Sequence, residues 1–196
     1  MHDCKPVPLE VFGKHNLMNL EGARLVCNRL GVNNEIFYRA IASFKGASNR
    51  LEKVAGNEKT FIYKDFAHAP SKVKATLQAV REQFSDFRIF ACLELHTYSS
   101  LSQEFLSHYE GTLDAADTAL VYFNPHAIMI KRLPPITKEQ VKQGFHTPWV
   151  EVFTESGLLR ERILAEKSDK TVFLFMSSGN YDGISLKELA QEILKK

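Results

Sequence analysis

The sequence predicts an α/β protein with a mostly parallel sheet, preceded by a short helical piece. Three observations carry this expectation. From residue 51 onward, short β-branched or aromatic runs alternate with amphipathic runs, the pattern of βαβ units. Four of the strand-like runs are followed by polar, titratable residues, as at the carboxyl edge of a parallel sheet. Before residue 46 the apolar spacing is helical throughout.

Taken in order, residues 1–12 form a loose lead-in, because Pro6 and Pro8 interrupt regular structure. Leu17, Leu20, Ala23, Leu25, Val26 and Leu30 fit a helix over about 16–30, with Gly31 just past its C-cap. Asn33 or Asn34 caps a second helix with Ile36, Phe37, Ala40, Ile41 and Phe44 on one face. Lys45-Gly-Ala-Ser-Asn49 is a linker signal, and a domain boundary is placed between residues 46 and 47. Leu51 to Ala55 and Thr60 to Tyr63 read as two strands of a hairpin around Gly56-Asn57. Pro70 suits the first turn of a helix continued by Val73, Leu77, Val80 and Phe84 at helical steps.

Residues 88–93, 118–123, 149–153 and 171–176 are the further strands. Between them fall a helix over 101–113, with Leu101, Phe105, Leu106 and Tyr109 inward, and another over 157–166. Thr137-Lys-Glu-Gln140 and Ser185-Leu-Lys-Glu188 have the form of capping boxes that open a short helix and the final one.

A chain of 196 residues has room for one full domain and a smaller piece. Its net charge of +2, with no run of Lys or Arg, argues against nucleic acid or an anionic membrane as partner. The polar N-terminus shows no signal peptide, and no apolar run approaches the ~20 residues of a membrane span. Cys4, Cys27 and Cys92 are scattered without CxxC spacing. Cys27 and Cys92 fall in helical and strand patterns and read as reduced core residues, consistent with the cytoplasm.

The chemistry gathers at the strand ends. Asp65 and His68 follow the second strand, where Lys64 crowds the same turn. Glu94, His96, Thr97 and Ser99 follow the third, Asn124 and His126 the fourth, and Ser177, Ser178, Asn180 and Asp182 the last. Together they imply one polar crevice along one sheet edge. Taken singly, each is equally a cap or turn former. Glu94, His96 and His126 are metal-ligand types, yet no HExxH spacing accompanies them, and no dedicated metal site is expected. A Ser–His–Asp triad would lack its GxSxG elbow. GxxxxGK[ST] and GxGxxG are both missing, so these residues carry no self-sufficient nucleotide site.

Three successive stretches, Gly13-Lys-His-Asn-Leu-Met-Asn19, Phe44-Lys-Gly with Arg50-Leu-Glu52, and Asp65-Phe-Ala-His-Ala-Pro70, resemble signatures of the Mur ligases in family order. The resemblance covers about residues 11–196 and implies a C-terminal piece of a larger ATP-dependent amide-forming enzyme of peptidoglycan synthesis. Residues 1–46 would be the terminal helices of the central ATP-binding domain. Residues 47–196 would be the Rossmann-like, three-layer C-terminal domain that binds substrate.

By the same resemblance, His15, Asn16 and Asn19 contact adenine, Arg50 and Asp65 reach the phosphates and ribose, and His68 stands beside the reaction centre. Asn16 as a helix N-cap, and an Arg50–Asp65 ion pair, are the plainer alternatives. Glu94, His96, Ser99, Ser178, Asn180 and Asp182 are candidates for the incoming amino acid or peptide. ATP and Mg2+ are the implied cofactors, held mainly by upstream domains of the same ligase. UDP-N-acetylmuramate is the implied acceptor, activated as an acyl phosphate.

Within the family, Phe175-Met-Ser-Ser-Gly-Asn-Tyr-Asp-Gly-Ile184 and Asp65-Phe-Ala-His68 resemble a member that recycles a cell-wall tripeptide. His96-Thr-Tyr-Ser99 leans toward one that adds L-alanine. A stand-alone binding module for peptidoglycan peptides is the alternative function, and a metal-dependent hydrolase a more distant one.

Overall fold

The computed structural model describes residues 6–167 and 169–195, and Cys4 and the first five residues of the lead-in lie outside them. The chain divides into two compact units, Met1–Ser48 and Asn49–Lys196.

In the first unit, helix α1 spans Lys14–Arg29 and α2 spans Asn34–Ile41. Gly13, at φ 87°, starts α1 earlier than the apolar spacing suggests. Asn16 is therefore inside the helix rather than capping it, and its Nδ2 donates to the Phe12 carbonyl at 2.9 Å. The helix ends in a Schellman turn: Val32 N–H reaches Cys27 O at 3.0 Å and Gly31 N–H reaches Asn28 O at 3.1 Å. Gly31 takes φ 87°, where a side chain would be strained. Asn33 is the cap of α2, accepting from Ile36 N–H at 2.9 Å. No residue of α1 is buried, and Leu17, Leu25, Val26 and Leu30 are exposed. Cys27 is only half-buried, contrary to a core position.

The second unit is built on a sheet of β1 (Glu52–Gly56), β2 (Thr60–Asp65), β3 (Arg88–Leu95), β4 (Thr118–Phe123), β5 (Glu151–Phe153) and β6 (Thr171–Met176). The strand order is β1-β2-β6-β3-β4-β5. Only the β1–β2 hairpin is antiparallel. Its turn is held by Asn57, whose side chain accepts from the N–H groups of Lys59 and Thr60 at 2.9 and 2.8 Å.

Helices cover both sheet faces, giving the expected three layers. On one face Ile62, Phe90, Cys92, Leu120, Phe173 and Phe175 pack against α7 (Ser156–Ala165) and α8 (Leu186–Leu194), through Leu159, Ile163, Leu189 and Ile193. On the other, α3 (Pro70–Gln83) buries Val73, Leu77 and Val80. At about 25 cal/mol per Å2 of apolar area, each such side chain contributes roughly 1.5–3 kcal/mol. No helix among the described residues is long and apolar enough to cross a membrane.

Three elements differ from expectation. β3 runs on to Leu95 and so takes in Glu94. The helix expected over 101–113 is a single turn, α4 (Gln103–Leu106), followed by a 3-10 turn at Ser107–Tyr109. It stops because the Thr112 hydroxyl donates to Tyr109 O at 2.7 Å and Gly111 takes φ 66°. Leu101, Leu106 and Tyr109 are buried regardless, with Leu106 against α6 (Lys138–Phe145). There a Cβ on Gly144 would lie 2.5 Å from Leu106 Cβ, so only glycine lets the two helices approach this closely. Third, α5 (Pro125–Ile130) is a short helix where the sequence pattern predicts no element, with Asn124 accepting from His126 N–H at 2.8 Å. The Thr137–Gln140 capping box is complete, whereas of the second box only Ser185 accepting from Glu188 N–H at 3.4 Å is observed.

At the amino end of the sheet, Arg81 ties α3 to β3 and β4. It donates to Ala115 O and Phe87 O at 2.9–3.0 Å and pairs with Asp117 at 2.6 Å. Burial alone would raise the Asp117 carboxyl. The Ile89 N–H at 2.7 Å and the Arg81 charge outweigh it, and the net shift is downward. A folded value below the unfolded one contributes stability above the unfolded pKa, about 3.9, which is lost as pH falls through the folded value. Asp117→Asn should therefore melt below the parent at pH 6, with the gap closing progressively below about pH 4. Melting curves of both proteins across that range check this, and a gap that persists at low pH would contradict it.

Candidate functional site

β6, last of the strands in sequence, lies between β2 and β3, so the carboxyl ends of these three stand side by side. Asp65 is level with Met176, and Met176 with Leu93. Beyond β6 the chain turns onto the α7–α8 face and α8 runs against β1, while beyond β3 it leads to β4. The connections part at this point, which is where open α/β sheets hold ligands.

Glu94 is the centre of the site. It is only 3% exposed and lies on the same sheet face as Phe90 and Cys92. Its Oε2 accepts from the Ser177 hydroxyl and from Tyr181 N–H at 2.9 Å. Gly179 N–H in turn donates to Ser177 Oγ at 2.7 Å. The 177–183 loop is thus wrapped on one carboxylate. Oε1 of Glu94 has His96 Nδ1 at 3.8 Å, an ion pair when that imidazole is protonated. A Cβ on Gly179 would fall 2.8 Å from Oε2 and 2.9 Å from the His96 ring, so only glycine lets the loop backbone pack this closely on both groups.

Tyr181 anchors the loop from below. Its hydroxyl donates to Cys92 O at 2.8 Å and Met176 O at 2.9 Å, bridging the ends of β3 and β6. Burial first, then the neighbouring Cys92 and Glu94, keeps that hydroxyl protonated well beyond the ordinary tyrosine range. Tyr122 lies level with Glu94 on β4 and is fully buried. Burial, followed by the charges of Asp182 and Glu94, pushes its hydroxyl up to about 12. Among the described residues, the Tyr122 hydroxyl and the buried Ser178 hydroxyl are the side-chain groups left without a hydrogen-bond partner.

A second group forms at the end of β2. Asp65 is 8% exposed, and its two oxygens accept from Leu51 N–H and Ala67 N–H, both at 2.6 Å. It fixes the entry to β1, where Leu51 takes φ 46°, to the turn after β2. Arg50 holds its guanidinium over the Phe66 ring, 5.6 Å from the centroid. His68 Nδ1 lies 2.9 Å from Phe66 O, a carbonyl that can only accept, so Nδ1 carries the proton and Nε2 is left to face outward. The His68 carbonyl receives the Tyr109 hydroxyl at 2.5 Å.

The structure thus gathers Glu94, His96, Ser178 and Asp182 around the β3–β6 crevice, and Arg50, Asp65 and His68 around the β2 turn. Ser99 and Asn180 instead complete turns: Ser99 is 3.4 Å from Thr97 Oγ1, and Asn180 Oδ1 accepts from Gly183 N–H at 3.3 Å. His126 is exposed on α5. His15, Asn16 and Asn19 sit at the start of α1 in the first unit, at spacings that share one helix face. No three His, Cys, Asp or Glu side chains among the described residues are grouped to hold a metal ion. Tyr122 is a site residue that its sequence context hides, because a tyrosine inside an apolar strand reads as core. Phe66, beside the Arg50 guanidinium, is similarly hidden within a turn.

No family model matches the chain. A UDP-N-acetylmuramate–L-alanine ligase from Caldicellulosiruptor bescii is 34% identical over 135 residues, 69% of this chain and 29% of that protein. One from Chlorobaculum tepidum is 32% identical over 182 residues, 89% of this chain and 38% of that protein. The chain therefore spans between 29% and 38% of the length of these relatives. Among solved structures, the UDP-N-acetylmuramate–alanine ligase of Thermotoga maritima superposes over 95% of this chain and 38% of its own, with TM-score 0.71 and 20% identity. A murein peptide ligase from Psychrobacter arcticus covers 93% of this chain and 37% of its own, with TM-score 0.61 and 20% identity. A MurF ligase from Thermotoga maritima, solved in complex with ADP, covers 93% and 38%, with TM-score 0.61 and 16% identity. The sequence is thus similar to UDP-N-acetylmuramate–L-alanine ligases, and the solved structures share its fold.

Proposed function

We propose that this chain is the C-terminal part of a Mur ligase, the part that brings an amine substrate to an activated carboxylate. In this reading residues 1–46 close the central ATP-binding domain and 47–196 form the substrate domain. The whole enzyme works in the cytoplasm and joins L-alanine or a peptidoglycan tripeptide to UDP-N-acetylmuramate. The observation that carries the proposal is the wrapped loop. Ser177, Gly179 and Tyr181 are held on a nearly buried Glu94 at the point where the sheet connections part.

ATP, when bound, supplies the phosphoryl group that activates the sugar-nucleotide carboxylate as an acyl phosphate. The residues present fit that partner unevenly. Arg50 offers an exposed guanidinium, backed by Phe66, that suits a phosphate. His68 presents Nε2 beside it, able to hold a proton near the reacting carboxyl. Asp65 already spends both oxygens on backbone N–H groups, so its part is to position this turn rather than to grip a ribose. Magnesium would be held by residues of the upstream domains. The chain's contribution to rate is orientation and exclusion of water, which can amount to several powers of ten.

The curated relatives weight the amino substrate toward L-alanine. The 175–184 stretch, by its resemblance to murein peptide ligase, favours the tripeptide. The test therefore uses both. The enzyme with its upstream domains restored should release phosphate and form an amide from ATP, UDP-N-acetylmuramate and one of the two amines. His68→Ala should lower kcat about 10²–10⁴-fold, the range of a lost proton-transfer group. An intact enzyme that makes no amide with either amine overturns the proposal.

A further inference from the structure

We propose that the Glu94 cluster is a subsite for a primary ammonium group, recognised by Glu94 Oε1 together with the hydroxyls of Tyr122 and Ser178. The inference rests on the ligase proposal only for identifying that ammonium with the incoming amine substrate.

Four observations lead to it. Oε2 of Glu94 is occupied by the Ser177 hydroxyl and Tyr181 N–H, whereas Oε1 has only His96, at 3.8 Å. A carboxylate this deeply buried and half-satisfied gains from a charged donor. Second, two buried hydroxyls with no hydrogen-bond partner lie on the segments next to it. Tyr122 is level with Glu94 on the neighbouring strand and on the same face, and Ser178 precedes the glycine that touches Glu94. Buried hydroxyls are seldom left unsatisfied, so a missing donor or acceptor is implied.

Third, the charge there is negative. Glu94 and Asp182 both act on Tyr122, which disfavours a carboxylate or phosphate ligand and favours a cation. Fourth, Gly179 lets the 177–183 loop close directly onto this carboxylate, since a methyl group there would collide with both Glu94 oxygens and His96. An ammonium has three donors, which matches in number Oε1 and the two hydroxyls.

The test titrates the 196-residue chain with L-alaninamide, L-alanine and N-acetyl-L-alanine, followed by amide NMR shifts. L-Alaninamide and L-alanine should move the signals of Glu94, Ser178 and Gly179, and N-acetyl-L-alanine should not. Glu94→Gln keeps an acceptor for Ser177 and Tyr181 but removes the charge, and should weaken binding at least about tenfold. Tyr122→Phe is the sharper variant. Because its hydroxyl makes no well-formed hydrogen bond and has only a weak interaction with Ser156, the substitution should leave Tm nearly unchanged while weakening amine binding severalfold.

The inference is overturned if N-acetyl-L-alanine binds as well as the amide, if neither substitution changes affinity, or if no amine shifts these signals. In the full-length enzyme, ligation with an unchanged KM for the amine in Tyr122→Phe removes the subsite and leaves the ligase proposal standing. Amine binding without ligation does the reverse.

Discussion

Asp65→Ala is expected to destabilise the chain by about 3 kcal/mol, the loss of two hydrogen bonds to a charged acceptor at roughly 1.5 kcal/mol each. For a domain of this size that lowers Tm by about 6–12 °C. Both donors, Leu51 N–H and Ala67 N–H, lie at 2.6 Å in a buried setting. Leu51 is itself buried at φ 46°, a conformation that needs an external tie. Asp65→Asn should cost nearly as much, because its NH2 group would face one of those two N–H donors. Thermal melts of the three proteins decide it. If Asp65→Ala melts with the parent, the carboxylate is not the clamp inferred here, and a direct part in catalysis regains weight.

The second large effect is at Tyr181. Tyr181→Ala removes a fully buried ring and should cost about 3–5 kcal/mol. Tyr181→Phe keeps the ring and loses the hydroxyl that bridges Cys92 O and Met176 O, costing about 1–2 kcal/mol. Beyond stability, Tyr181→Ala should free the 177–183 loop from Glu94. Hydrogen exchange at Gly179 and Tyr181 then separates the two variants: fast in Tyr181→Ala, near the parent rate in Tyr181→Phe. Equal protection in both would mean that the Tyr181 N–H bond to Glu94 holds the loop without the ring.

Most of the fold was legible in the sequence because local rules and tertiary structure agree there. Thr118–Phe123 and Thr171–Met176 are apolar runs buried along their length, and they read as strands with correct ends. The misses have physical causes. Glu94 reads as the residue after a strand, since an acid seldom lies inside one. It does so here because Ser177 and Tyr181, far along the chain, supply its donors. Asn124 reads only as a polar residue after a strand, although Asn124 and Pro125 are the cap and first residue of a helix.

The candidate site was legible as a set of polar strand ends but not as an arrangement. Which residues meet depends on β6 lying between β2 and β3, and spacing along the chain does not encode strand order. The clamping role of Asp65 was hidden for a related reason. A carboxylate in a motif looks like a ligand, and its engagement by backbone N–H groups is visible only once Leu51 is placed beside it.

The central place of β6 also bears on how the chain is made. Thr60 pairs with Thr171, and Arg88 with the same residue from the other side, so the middle of the sheet is the last of its strands to leave the ribosome. Until then β2 and β3 each present an unpaired inner edge, the kind of surface that recruits other chains. Pairings this remote in sequence also slow folding. A nascent chain halted before residue 171 should accordingly bind chaperones and resist compaction, and release of the final strand should close the whole sheet in one cooperative step.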